Sequence, residues 1–145
     1  MDSLIECADG NWDGWSFWSP RPALAPEYLV DGKSLYLAGN GNRRCFGGWV
    51  RRVSVKPGRV YRLSTVFRCS GMDDIFLHVT PHVVWRRGEI PEKACAKDAI
   101  REFRRGGGGF VGEDTFVAPD NCESAEIRLL LRFAPEGEIW FDQVS

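Results

Sequence analysis

A chain of 145 residues is the usual length of one domain with one core, and its 43% hydrophobic and 12% aromatic content excludes global disorder. With 19 basic and 20 acidic side chains the formal charge is −1, which argues against a general polyanion binder, so no nucleic-acid partner is expected. No apolar run of about 18 residues is present to span a membrane, and Met1-Asp2-Ser3-Leu4-Ile5-Glu6 does not read as a signal peptide, which leaves the compartment open.

The first distinctive stretch, 9–20, has the Gly, Asn and Ser content of a loop and carries Trp12, Trp15 and Trp18 at every third position. Trp15 is expected to plug an open end of the core, and Trp18 is a candidate for exposure. Period-two alternation begins at 34–38, with Leu35 and Leu37 inward. A strand follows at 49–55, and Lys56-Pro57-Gly58 turns the chain into the clearest one, 59–69. There Tyr61, Leu63, Thr65, Phe67 and Cys69 share one face, with Arg62, Ser64 and Arg68 on the other. Segment 74–86 sets Ile75, Leu77, Val79, Val83 and Trp85 against Phe76, His78, Thr80, His82 and Val84.

Residues 91–104 admit either a short helical turn from Pro91-Glu92-Lys93-Ala94 or a strand over 99–104. Gly106 to Gly109 read as a hairpin loop, followed by strands at 110–117, 125–133 and 138–144. In 125–133, Ile127, Leu129, Leu131 and Phe133 oppose Glu126, Arg128 and Arg132. About eight short strands punctuated by turn residues specify an all-β fold, a two-sheet antiparallel β-sandwich or jelly roll forming one module over 1–145. The chain stops inside a strand, at Trp140-Phe141-Asp142-Gln143-Val144-Ser145, which suggests a module cut from a longer protein.

Signatures of catalysis are weak. Gly107, Gly109 and Gly112 satisfy Gly-x-Gly-x-x-Gly, but strand residues follow where a dinucleotide site needs a helix start. His78 and His82 sit four residues apart on one expected strand face, about 13 Å, too far to share a zinc ion unless the strand bulges at Pro81. Five cysteines at wide spacings give neither a complete disulfide framework nor a zinc site; Cys69 reads as a core residue, and a Cys95–Cys122 pair stays open. The domain itself is therefore expected not to be an enzyme.

Six tryptophans point elsewhere. The apolar face of a pyranose packs on aromatic rings, while Arg, Asn, Asp and His read its hydroxyls. Trp85 and Trp140 lie in alternating strands and are expected in the core. Trp49 follows Cys45-Phe46-Gly47-Gly48, small neighbours that would leave its ring uncrowded. Trp18, Tyr36, Trp49, Arg62, His78, His82 and Arg128 are the candidate ligand-binding residues. A polar sheet face carrying Arg62, Arg68, His78, His82, Arg128 and Arg132 would suit the carboxylate or sulfate of an acidic glycan.

Motif order carries a resemblance. Gly14-Trp15, Ser34-Leu35-Tyr36-Leu37, the block Val53-Ser54-Val55-Lys56-Pro57-Gly58-Arg59-Val60-Tyr61-Arg62-Leu63-Ser64, Phe116-Val117-Ala118-Pro119 and Phe141-Asp142-Gln143-Val144 run through nearly the whole chain. In this order the sequence resembles galactose-binding-like jelly-roll domains, particularly carbohydrate-binding modules of families 4, 9 and 22. The resemblance implies a carbohydrate ligand and an accessory module that targets an attached catalytic domain to a glycan. Such sandwiches also precede nitrilase- and esterase-like hydrolases without a sugar ligand, which is the alternative. It further implies a structural Ca2+ held by a carboxylate near each end of the chain, here Glu6 and Asp142.

Overall fold

Strand β6 (Val60–Ser70) shows how the sequence builds the fold. Tyr61, Leu63, Thr65 and Phe67 are buried, while Arg62, Ser64, Val66 and Arg68 face away. The computed structural model describes residues 2–88 and 94–145. Among these, the other strands are β1 (Asp2–Ser3), β2 (Ser16–Trp18), β3 (Glu27–Asp31), β4 (Ser34–Ala38), β5 (Phe46–Ser54), β7 (Val79–Arg86), β8 (Ala94–Ala99), β9 (Phe103–Gly106), β10 (Gly109–Val117), β11 (Ser124–Arg132) and β12 (Glu138–Val144). A 3-10 turn occupies Pro22–Leu24 and a single helical turn, α1, Ile75–His78.

The strands form two sheets. One runs β3-β4-β12-β6-β10-β9, with β1 added in parallel to β6, and the other runs β2-β5-β11-β7-β8. Every other ladder is antiparallel. The inner faces meet in one cluster that includes Leu35, Leu63, Phe67, Trp85, Ile127, Leu129 and Phe141. This is the expected all-β sandwich.

Several local expectations change. Residues 75–78 form α1 and not the first half of a strand. Asp74 caps it by accepting from the Phe76 N–H, so the segment closes a turn before β7 begins. Residues 94–99 are strand β8, not helix, and the next strand starts at Phe103. The Pro91-Glu92-Lys93 opening of the alternative helix lies outside the described residues, as does the Cys95 side chain needed to judge a Cys95–Cys122 pair. The glycine run is a β9–β10 hairpin in which Gly107 and Gly108 take φ of 62° and 79°. Two successive positive φ values are what a two-residue hairpin of that twist demands. The Gly-x-Gly-x-x-Gly match is thus hairpin and strand, with no helix behind it.

Trp140 is not core. It lies half-buried on the outer face of the seven-stranded sheet, while Trp85 is fully buried and donates its indole N–H to Asp98 at 2.7 Å.

Gly48 sits in β5 between Trp18 of β2 and Leu130 of β11. A Cβ there would lie 2.0 Å from the Leu129 carbonyl oxygen, a backbone atom that cannot rotate away. Gly48→Ala should therefore destabilise the fold by about 2 kcal/mol or more, read from the denaturant midpoint at neutral pH. A wild-type midpoint would refute the close approach.

Candidate functional site

Side chains alternate across a sheet, so the residues of the five-stranded sheet that point away from the core follow from register. One row runs Trp18, Gly48, Leu130, Thr80; the next runs Val50, Arg128, His82, Ala99. Arg132 pairs with Phe46 at one end, and Lys97 belongs to the row of Glu126 and Val84. On this face a trough of about 320 Å³ has apolar lining from Phe46, Leu130 and Ala99 and polar lining from Thr80, His82, Lys97, Asp98, Arg101 and Arg132.

An aromatic rim flanks it. Trp18 meets Phe46 edge-on at 5.8 Å between centroids, and Phe46 meets Phe133 at 6.3 Å. The Arg128 guanidinium lies 4.6 Å from the Trp18 ring centroid, and Arg132 lies 5.7 Å from that of Phe133. β2 and β11 are two strand spacings apart, roughly 10 Å, and Arg128 spans them because Gly48 projects nothing in between.

Glu126 anchors Arg128. Its carboxylate accepts from the Nε of Arg86 and of Arg128, each at 2.9 Å, and lies 3.6 Å from Arg52. Burial alone would raise the Glu126 pKa, but the guanidiniums, Arg128 foremost, outweigh it and hold the carboxyl below its ordinary value.

Desolvation pushes the His82 pKa down to about 4, with help from Arg128, Lys97 and Arg132 nearby. The ring is therefore neutral at physiological pH. Its Nδ1 lies 3.2 Å from the Thr80 carbonyl oxygen, which can only accept. Nδ1 thus carries the proton, and Nε2 is left as an acceptor.

The residues singled out in the sequence do not all converge here. His82 does, while Trp18 and Arg128 lie on the same outer face beside the trough without lining it. Trp18 comes from strand β2, which its loop-like composition concealed. Trp49 is not uncrowded: it is buried in the core, and its indole N–H donates to the Tyr36 carbonyl at 3.2 Å. The glycines before it mark close backbone approach, not open space. Tyr36 and Arg62 lie on the outer face of the other sheet. Tyr36 donates to Glu138, and burial with that carboxylate pushes its phenol up to about 12. Arg62 pairs with Glu113 at 3.8 Å. His78 ends α1 with Nδ1 against the Arg132 carbonyl at 3.0 Å, so it shares no strand face with His82. Phe46, Lys97 and Arg101 were not singled out. Phe46 had a signal in its parity, opposite to Trp49 on the same strand.

The carboxylates implied for Ca2+ do not fit that ion. Both Asp142 oxygens are engaged by Arg68, at 2.8 and 3.0 Å, and one also accepts from Ser34. Glu6 lies near the Ala8–Val144 bridge, on the side of Ala8 away from Asp142 in that antiparallel register. Among the described residues no group of three or more His, Cys, Asp or Glu side chains converges.

No family model matches the sequence, and no curated protein matches it. Solved structures do. A family 16 carbohydrate-binding module superposes with a TM-score of 0.65 at 16% identity, over 99% of this chain and 98% of that one. The fold is a carbohydrate-binding-module-like jelly roll. The CBM22-1 xylan-binding domain of Paenibacillus barcinonensis Xyn10C superposes at 0.56 with 13% identity, over 99% and 96% of the two chains. The Clostridium thermocellum xylanase 10B CBM22-1–GH10 modules, complexed with xylohexaose, match at 0.60 with 13% identity. This chain is covered over 99% there, but only 28% of that longer protein is.

The low pKa of His82 makes a stability prediction. Between pH 6.5 and about 4 the unfolded chain takes up a proton on this ring that the folded chain refuses. Stability should fall with acidification across that window, by on the order of 3 kcal/mol. Urea titrations from pH 7 to 4 should show this slope in the wild type and lose most of it in His82→Gln. An unchanged slope in the variant would mean another group titrates.

Proposed function

We propose that this chain is a non-catalytic carbohydrate-binding module that uses the outer face of its five-stranded sheet to target an attached enzyme to a glycan. The observation that carries the reading is the trough itself. It has apolar lining that includes the Phe46 ring, a flanking tryptophan, and a neutral His82 whose Nε2 is free to accept a hydroxyl proton. A pyranose presents this combination in reverse, with an apolar C–H face and a ring of hydroxyls.

The non-catalytic part is supported by how the nearby carboxylates are used. Glu126 is tied to three guanidiniums and Asp98 accepts from the buried Trp85 indole, so neither is placed as a free acid or base. Attachment to an enzyme is supported by the Clostridium thermocellum protein, in which the like module stands beside a GH10 module.

A second reading, a purely structural or interaction sandwich, is favoured by edge strand β3, where Tyr28, Leu29 and Val30 are 53%, 48% and 52% exposed. Titration calorimetry against xylan, glucomannan, polygalacturonate and cellulose separates the two. Binding to at least one polymer is expected, with Phe46→Ala weakening it tenfold or more and Tyr28→Ala leaving it unchanged. Absence of binding to any glycan would favour the second reading.

A further inference from the structure

We propose that the ligand of this trough is anionic, a glycan bearing carboxylate or sulfate groups, held by Lys97, Arg101 and Arg132. The inference rests on the carbohydrate reading above and specifies its chemistry.

Lys97, Arg101 and Arg132 all line the trough, and among the described residues none has a carboxylate within 4 Å. Asp98, the acidic residue of the lining, is turned to Trp85. Arg128 is already matched to Glu126. This cationic rim stands on a chain whose formal charge is −1, so the imbalance is local to the trough.

Hydrogen-bond inventory points the same way. A neutral sugar hydroxyl both donates and accepts, so its sites mix donors with acceptors. Here donors dominate: an ammonium and two guanidiniums, of which, among the described residues, only the Nε of Arg132 is committed, to the Leu77 carbonyl at 2.9 Å. The acceptors are fewer: His82 Nε2, the Asp98 Oδ1 left over by the Trp85 bond, and the Thr80 hydroxyl, whose oxygen is shielded from solvent with no partner among the described residues. A donor-rich site suits a substituent that only accepts, and charge-assisted bonds to it are the stronger kind. The trough is short and has apolar lining, which suits a sugar unit carrying such a group better than an extended phosphate backbone.

The experiment compares matched polymers. Polygalacturonate against its methyl ester tests carboxylate, and dextran sulfate against dextran tests sulfate. The full chain should bind one charged member at least tenfold more tightly than its neutral counterpart, and added NaCl should weaken that binding. The double substitution Lys97→Gln with Arg101→Gln removes two exposed charges without touching the core, and it should cost about tenfold in affinity for the charged polymer. Its denaturant midpoint should stay unchanged.

Equal affinity for charged and neutral members would overturn the inference while leaving the carbohydrate reading in place. So would indifference of binding to the double substitution. Equally tight binding of single-stranded DNA or of phosphatidylserine vesicles would overturn it in favour of unselective polyanion attraction. Failure with every neutral and acidic polymer would remove the carbohydrate reading as well.

Discussion

The two-residue period of β11 is the constraint on which both core and site depend. This strand lies between β5 and β7, and its alternate residues Ala125, Ile127, Leu129 and Leu131 are completely buried against the opposite sheet. A slip of one residue would exchange these for Glu126, Arg128, Leu130 and Arg132, burying three charged groups in an apolar core. That cost is prohibitive, so register is fixed by burial. The outer row then follows without further choice. Leu130 and Arg132 reach the trough, and Arg128 the face beside it, because their neighbours must fill the core.

Charge pairing then shapes that outer row. Arg86 is only 5% exposed, and a guanidinium so placed needs a counter-charge. Glu126 supplies it and, with its other oxygen, draws in Arg128. The consequence reaches the aromatic rim, since Arg128 fixed on Glu126 is also the group lying over Trp18. One face of that indole is thereby occupied by the protein itself. Phe46, which meets Trp18 by an edge and lines the trough directly, is the ring better placed for a ligand.

Much of the fold was legible because burial leaves a periodic trace. The strands at 34–38 and 138–144 match β4 and β12 at both ends, and β6, β10 and β11 start or end within a residue of expectation. The short edge strands β2 and β3 left no such trace. β2 has only three residues, and every residue of β3 is exposed. The site was legible only in part, for a related reason. Alternation says that Arg62, Arg68, Arg128 and Arg132 all point away from a core, but not that the first two belong to one sheet and the last two to the other. Topology decides that, through pairings between residues far apart in sequence. Trp49 misled because glycine is read locally as open space, whereas Gly48 is there to let two backbones approach. Once Trp49 is assigned inward with Leu129, its cross-strand partner, Phe46 must face out.

The sandwich has two outward faces, and their chemistry separates them. On the seven-stranded sheet the central polar groups satisfy one another. Arg68 is held by Asp142 and lies over Trp140, Tyr36 donates to Glu138, and the Trp140 indole reaches Asp31 at 3.2 Å. Donors and acceptors there are balanced within the protein, and a ligand would have to break existing bonds to gain its own. Around the trough of the five-stranded sheet the balance fails. Among the described residues, Lys97, Arg101 and most of the Arg132 guanidinium have donors without protein acceptors, beside an apolar lining. Rings alone do not distinguish the two faces, since each displays a tryptophan beside an arginine. What distinguishes them is a surplus of unmet donors, and this is the ground for proposing the five-stranded face as the ligand face.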